Sequence, residues 1–576
     1  MDGAGVLVPD RERSVGARAR SGPTIIDAGA GAVLPLLPRR IVHQCLERLP
    51  FGQLAAVLRD RLLPVALLPD LVLYAAQDEA SLTLAQSRGW TVVALMDKHS
   101  FLGAVHHIWG RRLVLEATSR LRTGQPHFSA HHRFGRGQLG AMAGGVVLVL
   151  LSLLLLPEAE RLPMASLGLG IFFMSVIGLR ILALLPADRE KPPPRLRDEA
   201  LPPYTVLVPL FREVSVLDQL LTGLAAIDYP ADRLDIKLLL EECDVPMHKA
   251  LAARPLPDHF EVLVVPAGQP QTKPRALSFA LPFARGSLLT IYDAEDIPEP
   301  GQLRRAAEVF ASHPPELACL QARLSFYNPG ENWLTRQCTL EYAVLFGLLL
   351  PAFAREGLPL PLGGTSNHFR IAALRHAGAW DPFNVTEDAD LGMRFARLGY
   401  RCGVISSTTY EEANSRLPNW LRQRARWLKG YLQTWLVHMR EPAMLRRELG
   451  WAGFVTMQAQ FLGLLISSLF HPLFLVTALW LAMTADFSTP FASLAALLVA
   501  SLSSVIFVTG HIVSMLAGSV ALRHIGIMGW LSTVLTMPFY WLLISLAAWL
   551  ALWQFVWAPF HWNKTEHGLS SFQRRA

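Results

Sequence analysis

Three clusters of polar side chains, met in order along the 576-residue chain, could bind phosphate-linked substrates and move a proton. The first is Asp293-Ala294-Glu295-Asp296, directly after the apolar run Leu288-Leu289-Thr290-Ile291-Tyr292. Acids at the carboxyl end of a buried strand stand where open α/β sheets bind ligands, and their oxygens suit Mg2+ or Mn2+ held against phosphates. The second, Thr386-Glu387-Asp388-Ala389-Asp390, precedes a helical pattern over 391–398. The third, Gln423-Arg424-Ala425-Arg426-Trp427, combines guanidinium charge with an indole face that can pack on a ring surface. Each has an ordinary explanation when taken alone. The acidic clusters can cap the helices that follow them, and the third can lie on lipid headgroups as an amphipathic helix.

The segment that must position these groups, 192–450, reads as α/β. Apolar, β-rich runs at 205–208, 236–240, 262–265 and 288–292 alternate with helical patterns, which predicts a parallel, Rossmann-like sheet. The glycines of Gly363-Gly364-Thr365-Ser366-Asn367-His368-Phe369 permit close backbone approach, either to a ligand or in a tight turn.

Outside that segment the chain is strongly apolar. With 52% hydrophobic and 17% charged residues it is too apolar for a purely soluble protein of this size. Runs at 139–156 and 165–185 are each near the ~20 residues a membrane-crossing helix needs. Arg111, Arg112, Arg120, Arg122, Arg133 and Arg136 precede the pair, and Arg189, Lys191, Arg195 and Arg197 follow it, so both flanks belong on the cytoplasmic side of a hairpin spanning 139–186. Arg180, near the cytoplasmic end of the second run, reads as a snorkelling side chain with no further role. A carboxyl-terminal membrane region, 454–558, contains runs at 454–483, 491–516 and 525–557. The last is interrupted at Met537-Pro538, so it is either a hairpin or an interfacial helix followed by one span. Lys564, Arg574 and Arg575 put the tail, 559–576, inside, and six spans are expected. The net charge of +7 is concentrated beside apolar segments, which points to anionic membrane lipids and not to nucleic acid. Five scattered cysteines without a Cys-x-x-Cys spacing predict neither a zinc site nor a disulfide framework. Residues 1–37 read as a flexible arm with no secretory signal core.

In order and spacing, the three clusters resemble the pattern of membrane-integrated family 2 glycosyltransferases of the cellulose, chitin and hyaluronan synthase type: Asp-x-Asp, Thr-Glu-Asp and Gln-x-x-Arg-Trp. Val208-Pro209-Leu210-Phe211-Arg212-Glu213 is similar to the opening strand and loop of that fold, and Lys273-Pro274-Arg275-Ala276-Leu277 to its donor loop. The resemblance implies a GT-A domain of α/β class between transmembrane helices, multi-pass in the inner membrane with its catalytic domain in the cytoplasm. It implies an inverting, metal-dependent transfer from a nucleotide sugar, a UDP-sugar by expectation, to a glycan or lipid-linked acceptor, in the synthesis and export of extracellular polysaccharide. Asp293 with Glu295 or Asp296 would coordinate Mg2+ or Mn2+ and the diphosphate, and Glu213, Glu241, Glu242, Asp244 and Lys273 would line the donor site. Asp388, beside Glu387, would be the general base; Arg426 would offset leaving-group charge, Trp427 would face a sugar ring, and Gln423 would hydrogen-bond nearby. Two departures stand out: Glu241-Glu242-Cys243-Asp244 where the family has an acidic pair, and Asp-x-Glu-Asp where it has Asp-x-Asp.

Residues 38–121 form a separate small unit that loosely resembles the amino-terminal domain of type II secretion ATPases. Its implied partners are a cyclic dinucleotide or an export component. Two other readings of the whole chain are a single-addition transferase acting on a lipid carrier and a non-catalytic secretion scaffold. Intact acids in both acidic clusters oppose the second of these.

Overall fold

A computed structural model describes residues 27–28, 32–69, 71–135, 137–186, 193–484, 494–558 and 568. Most of the arm, most of the tail, Arg189, Lys191 and the connector before residue 491 lie outside the described residues.

The amino-terminal unit consists of α1 (Arg39–Arg48), α2 (Phe51–Asp60), β1 (Leu62–Leu68), β2 (Leu71–Ala76), α3 (Glu79–Ser87), β3 (Thr91–Leu95) and the long α4 (Lys98–Gly124). Its strands form one three-stranded sheet in the order β1-β2-β3. Asp78 and Asp97 start α3 and α4 by accepting from the amides of Ser81 and Ser100, as N-caps do. Two apolar helices follow, α5 (Gln138–Leu155) and α6 (Glu158–Leu184).

The central region runs β4 (Tyr204–Leu210), α7 (Leu217–Ala225), β5 (Leu234–Glu241), α8 (Val245–Ala252), β6 (Phe260–Val265), α9 (Lys273–Ala280), β7 (Leu288–Ile291), β8 (Ile297–Pro298), α10 (Gln302–Ser312) and β9 (Leu317–Phe326). It continues α11 (Trp333–Val344), α12 (Leu350–Arg355), β10 (Asn367–Arg370), α13 (Ile371–His376), α14 (Glu387–Arg397), β11 (Arg401–Glu411) and α15 (Leu417–His438). The eight-stranded sheet has the order β8-β11-β9-β10-β7-β4-β5-β6. The four strands expected from sequence, β4 to β7, run parallel, with Val206 opposite both Ile236 and Thr290. The sheet as a whole is mixed: β10 is antiparallel to both β7 and β9, and β8 to β11. The all-parallel expectation fails at β10 and β8, four and two residues long, which are too short to read as continuous apolar runs.

Both faces of the sheet are covered. Val206, Val208, Ile236 and Leu238 pack against α7 and α10. On the other face Leu207, Leu239, Leu263 and Leu289 share a core with α9 and with Val42, Leu58, Phe101 and Val114 of the amino-terminal unit. The unit is therefore built onto the catalytic sheet. Buried charges complete the seam: Arg61 Nη2 lies 2.5 Å from Glu261 Oε2, Lys237 pairs with the same oxygen, and Arg285 Nη1 lies 2.6 Å from Asp78 Oδ2.

The carboxyl-terminal helices are α16 (Pro442–Met457), α17 (Leu464–Thr484), α18 (Leu494–His524), α19 (Leu531–Leu535) and α20 (Met537–Trp557). Among the described residues six helical stretches are long and apolar enough to cross a membrane: Gln138–Leu155, Leu167–Leu184, Trp333–Arg355, Pro442–Val476, Ser501–His524 and Met537–Trp557. These are not the six expected. Trp333–Arg355 joins two neighbouring strands of the sheet, β9 and β10, and is largely buried in the protein. The stretch 525–557 holds one long helix preceded by a short one, with Pro538 in the first turn of α20, where it breaks no hydrogen bond.

The path of α20 follows from what its ends touch. Tyr540 Oη donates to Glu341 Oε2 (2.7 Å) and packs on Trp420, at the start of α15. At the far end Phe555 shares a core with Leu436, and Lys429 Nζ donates to the Ala558 carbonyl (3.3 Å). α15 is itself held along its length by the catalytic region, from Asn419–Asn414 to His438–Asp390. So α20 runs alongside α15, and its Ala547 and Ala548 share that core with Leu465 and Leu469 of α17. Phe539, Leu546, Trp549, Trp553 and Trp557 are left on its exposed side.

Candidate active site

The loops at the carboxyl ends of β4, β5 and β7 meet where strand order reverses beside β4, the position at which open α/β sheets bind ligands. After β4, Arg212 adopts a left-handed conformation (φ 57°), held by its amide donating to Asp244 Oδ2 at 2.5 Å. Asp244 also accepts from the Met247 amide and caps α8, so it is buried in the turn and does not line the cavity. Glu242 faces outward and accepts from the Ala267 amide (3.0 Å). Of the acids after β5 only Glu241 lines the cavity, together with Glu213.

The cluster after β7 divides in the same way. Asp296 is 1% exposed and turned inward, accepting from the Asp293 amide (2.7 Å) and from Thr365 Oγ1. It organises the loop, while Asp293 and Glu295 line the cavity. Helix capping does not explain this cluster, because α10 starts at Gly301 with no side-chain cap. Lys273, first residue of α9, reaches across to Asp293 Oδ1 (2.5 Å) and donates to the Gly364 carbonyl (2.7 Å).

Asp388 and Glu387 stand in the first turn of α14, whose N-cap Thr386 makes no side-chain cap bond. Two close approaches set their place. A Cβ at Gly364 would lie 3.3 Å from Asp388 Oδ2, and one at Gly430 would lie 2.4 Å from Thr386 Oγ1, so α15 presses directly on the Thr386 turn. α15 brings Gln423, Arg426 and Trp427 to the same cavity. Gln423 Oε1 accepts from Asn414 Nδ2 (2.8 Å). The three clusters, spread over residues 293–427 of the sequence, thus meet in one place, whereas Glu242, Asp244 and Asp296 do not line it.

Burial dominates the electrostatics. It pushes Glu387 up to about 8, with Asp388 adding and Lys273 opposing. It also raises Asp388, against the Ala389 amide, Lys273 and Arg426. Burial, then Asp293 and Glu213, hold Glu295 well above the usual carboxylate range; Glu411 is raised by burial and by Asp296, Glu295 and Asp293. Crowded carboxylates of this kind call for a cation. Among the described residues no three His, Cys, Asp or Glu side chains are grouped so as to hold a metal unaided. The set fits an ion shared with phosphate oxygens, as Mg2+ takes one or two carboxylates plus substrate phosphates.

Several lining groups carry no signal in the sequence. Glu411 ends β11, and Glu341 and Tyr342 lie on α11. Arg424 is paired with Glu341 (2.7 Å) and stacks 4.4 Å from the Trp427 ring, fixing the indole. Arg180 also lines the cavity, so it is not a bystander. The cavity, about 460 Å3, continues past Trp427 between α6, α17 and α18, where Ser468, His471, His511 and Trp541 line it.

Residues 288–563 match the family model described as Glycosyl transferase family group 2. That match relates this stretch to the family 2 glycosyltransferases. The chain is 26% identical over 294 residues to a beta-monoglucosyldiacylglycerol synthase of Synechocystis sp., covering 49% of this chain and 60% of the relative. It is 27% identical over 264 residues to glucomannan 4-beta-mannosyltransferase 2 of Arabidopsis thaliana, covering 42% and 48%. The chain spans about half the length of the curated relatives it matches. Among solved structures, the mannosyltransferase PcManGT from Pyrobaculum calidifontis, in complex with GDP-Man and Mn2+, is 17% identical with a TM-score of 0.43, covering 69% of this chain and 98% of that one.

Proposed function

We propose that this chain is a membrane-embedded, inverting glycosyltransferase of GT-A type that transfers a sugar from a nucleotide donor to a hydroxyl acceptor. The observation that carries this reading is the convergence of Asp293, Asp388, Arg426 and Trp427 on one cavity that runs on between apolar helices. Asp388 takes the proton of the acceptor hydroxyl as that oxygen bonds to the anomeric carbon and the bond to the diphosphate breaks. One in-line displacement inverts the centre. Lys273 and Arg426 meet the charge of the departing nucleoside diphosphate, and Trp427, braced by Arg424, offers a flat face to a sugar ring. Asp293 and Glu295 would hold Mg2+ or Mn2+, which offsets phosphate charge when bound. Asp296 supports that loop from below.

The catalytic region lies on the cytoplasmic face of the inner membrane in this reading. With α20 flat beneath it, the crossings are α5, α6, α17 and α18, an even number that returns residue 558 to the catalytic side. A polar and aromatic passage between α6, α17 and α18 suits a growing glycan in polysaccharide synthesis and export. Incubating the protein in lipid with a panel of UDP- and GDP-sugars and Mg2+ or Mn2+, then sizing the products, tests this. Long chains support a synthase, single adducts on lipid support a lipid-carrier transferase, and no transfer from any donor defeats the enzyme reading.

A further inference from the structure

The helix that begins with Lys273 is gripped from behind by the amino-terminal unit. α4 packs along α9, and Val114 and Ala117 share one core with Ala276, Leu277 and Ala280. The connection from β6 to α9 passes closely between α4 and Arg275 at Gly268. A Cβ at Gly268 would lie 2.6 Å from Val114 Cγ1 and 2.7 Å from Arg275 Nη1, and one at Gly110 would lie 3.0 Å from Pro266 Cγ.

Arg275 sits inside this wedge, fully buried. Its Nη2 donates to Glu241 Oε2 at 2.5 Å, while its Nε and Nη1 have no partner among the described residues. A buried guanidinium with unused donors is poorly explained by stability, since an apolar side chain of that volume would serve as well or better. What the pair does achieve is to hold Glu241 at the cavity wall, where Gln271 Nε2 reaches the same oxygen (3.3 Å). Two residues earlier on the same helical turn, Lys273 holds Asp293. The grip of α4 therefore acts on both sides of the expected nucleotide pocket.

We propose that Arg275 is a positioning residue for the nucleoside diphosphate part of the donor, and that the amino-terminal unit, through Val114 and the close approach at Gly268, sets its place. Donor affinity then depends on how α4 is seated. The inference rests on the donor reading above.

Full-length protein in nanodiscs, titrated calorimetrically with UDP and with GDP in Mg2+, tests it. The wild type should bind one of them. Arg275→Met should weaken that Kd at least tenfold, Arg275→Lys should regain part of the loss, and Val114→Ala, two methyl groups away on the other unit, should weaken it three- to fivefold. In turnover the donor KM should rise with kcat and acceptor KM unchanged, which a general loss of structure would not produce. If Arg275→Met does not fold, Arg275→Lys and Val114→Ala decide the question. Wild-type affinity in those folded variants overturns the inference alone; a wild type that binds neither nucleotide overturns the donor reading and this inference with it.

Discussion

Asp388 occupies a place that burial makes costly for a carboxylate, with Lys273 and Arg426 as its counter-charges. Asp388→Asn keeps the shape and removes the base. Transfer should fall by about 10²–10⁴-fold, the usual worth of a general base, while nucleotide binding persists in calorimetry; undiminished turnover would sink the assignment. Because burial raises the pKa, the base is lost as pH falls through a value above that of a free aspartate, so the acid limb of kcat/KM should be displaced upward from the free-aspartate value. The acids after β7 offer a second contrast. Glu295→Gln should raise the Mn2+ concentration needed for half-maximal rate, whereas Asp296→Ala, which loses the bonds to Thr365 and the Asp293 amide, should lower the melting temperature instead. Equal effects of the two on metal dependence would contradict this division. Asp293, Asp388, Arg426 and Trp427 were legible in the sequence because their clusters recur in a set order before a membrane segment. Glu341 and Glu411 were not, because each becomes meaningful only through partners some eighty or more residues away, and a lone acid in sequence carries no such address.

At the scale of elements, the parallel strands β4 to β7 could be read from continuous apolar runs, since strands buried on both faces tolerate little else. β11, Arg-Cys-Gly-Val-Ile-Ser-Ser-Thr-Thr-Tyr-Glu, is half polar and reads as a loop. α20 is ambiguous in a different sense: a helix lying between protein and lipid is as apolar all round as one that crosses. The seam between the amino-terminal unit and β6 is carried by Glu261, where burial opposes ionisation but Arg61 and Lys237 outweigh it and hold the carboxyl down to about 2. A depressed carboxyl contributes stability that is present above its unfolded pKa and lost as pH falls through the folded value. The shift is worth on the order of 3 kcal/mol at about 1.4 kcal/mol per unit. Glu261→Gln, which strands Arg61 and leaves Lys237 paired with Asp235 alone, should cost about 3–5 kcal/mol, seen as a lower melting temperature at neutral pH that converges with wild type toward pH 2. An unchanged melting temperature would show the seam to be dispensable.

For the whole molecule, the proposed course of α20 beneath the central region would change the count of crossings and can be tested in sealed vesicles of known orientation. Cys243 is exposed in the catalytic region and serves as an internal reference. Ala558→Cys should react with a membrane-impermeant maleimide from the same side as Cys243; reaction from the opposite side would make α20 a span. The sequence alone left this undecided because charge bias orients loops but does not distinguish a helix that crosses from one that turns along the surface. The shared core beneath the central sheet has a different bearing. Val42, Phe101 and Val114 are packed with Leu207, Leu263 and Leu289 in one continuous interior, which the two parts share beside the cores each has alone. Cutting the chain between them would expose matching apolar faces on both pieces. The amino-terminal unit is thus a folding partner of the central region, and the two should melt in one cooperative transition.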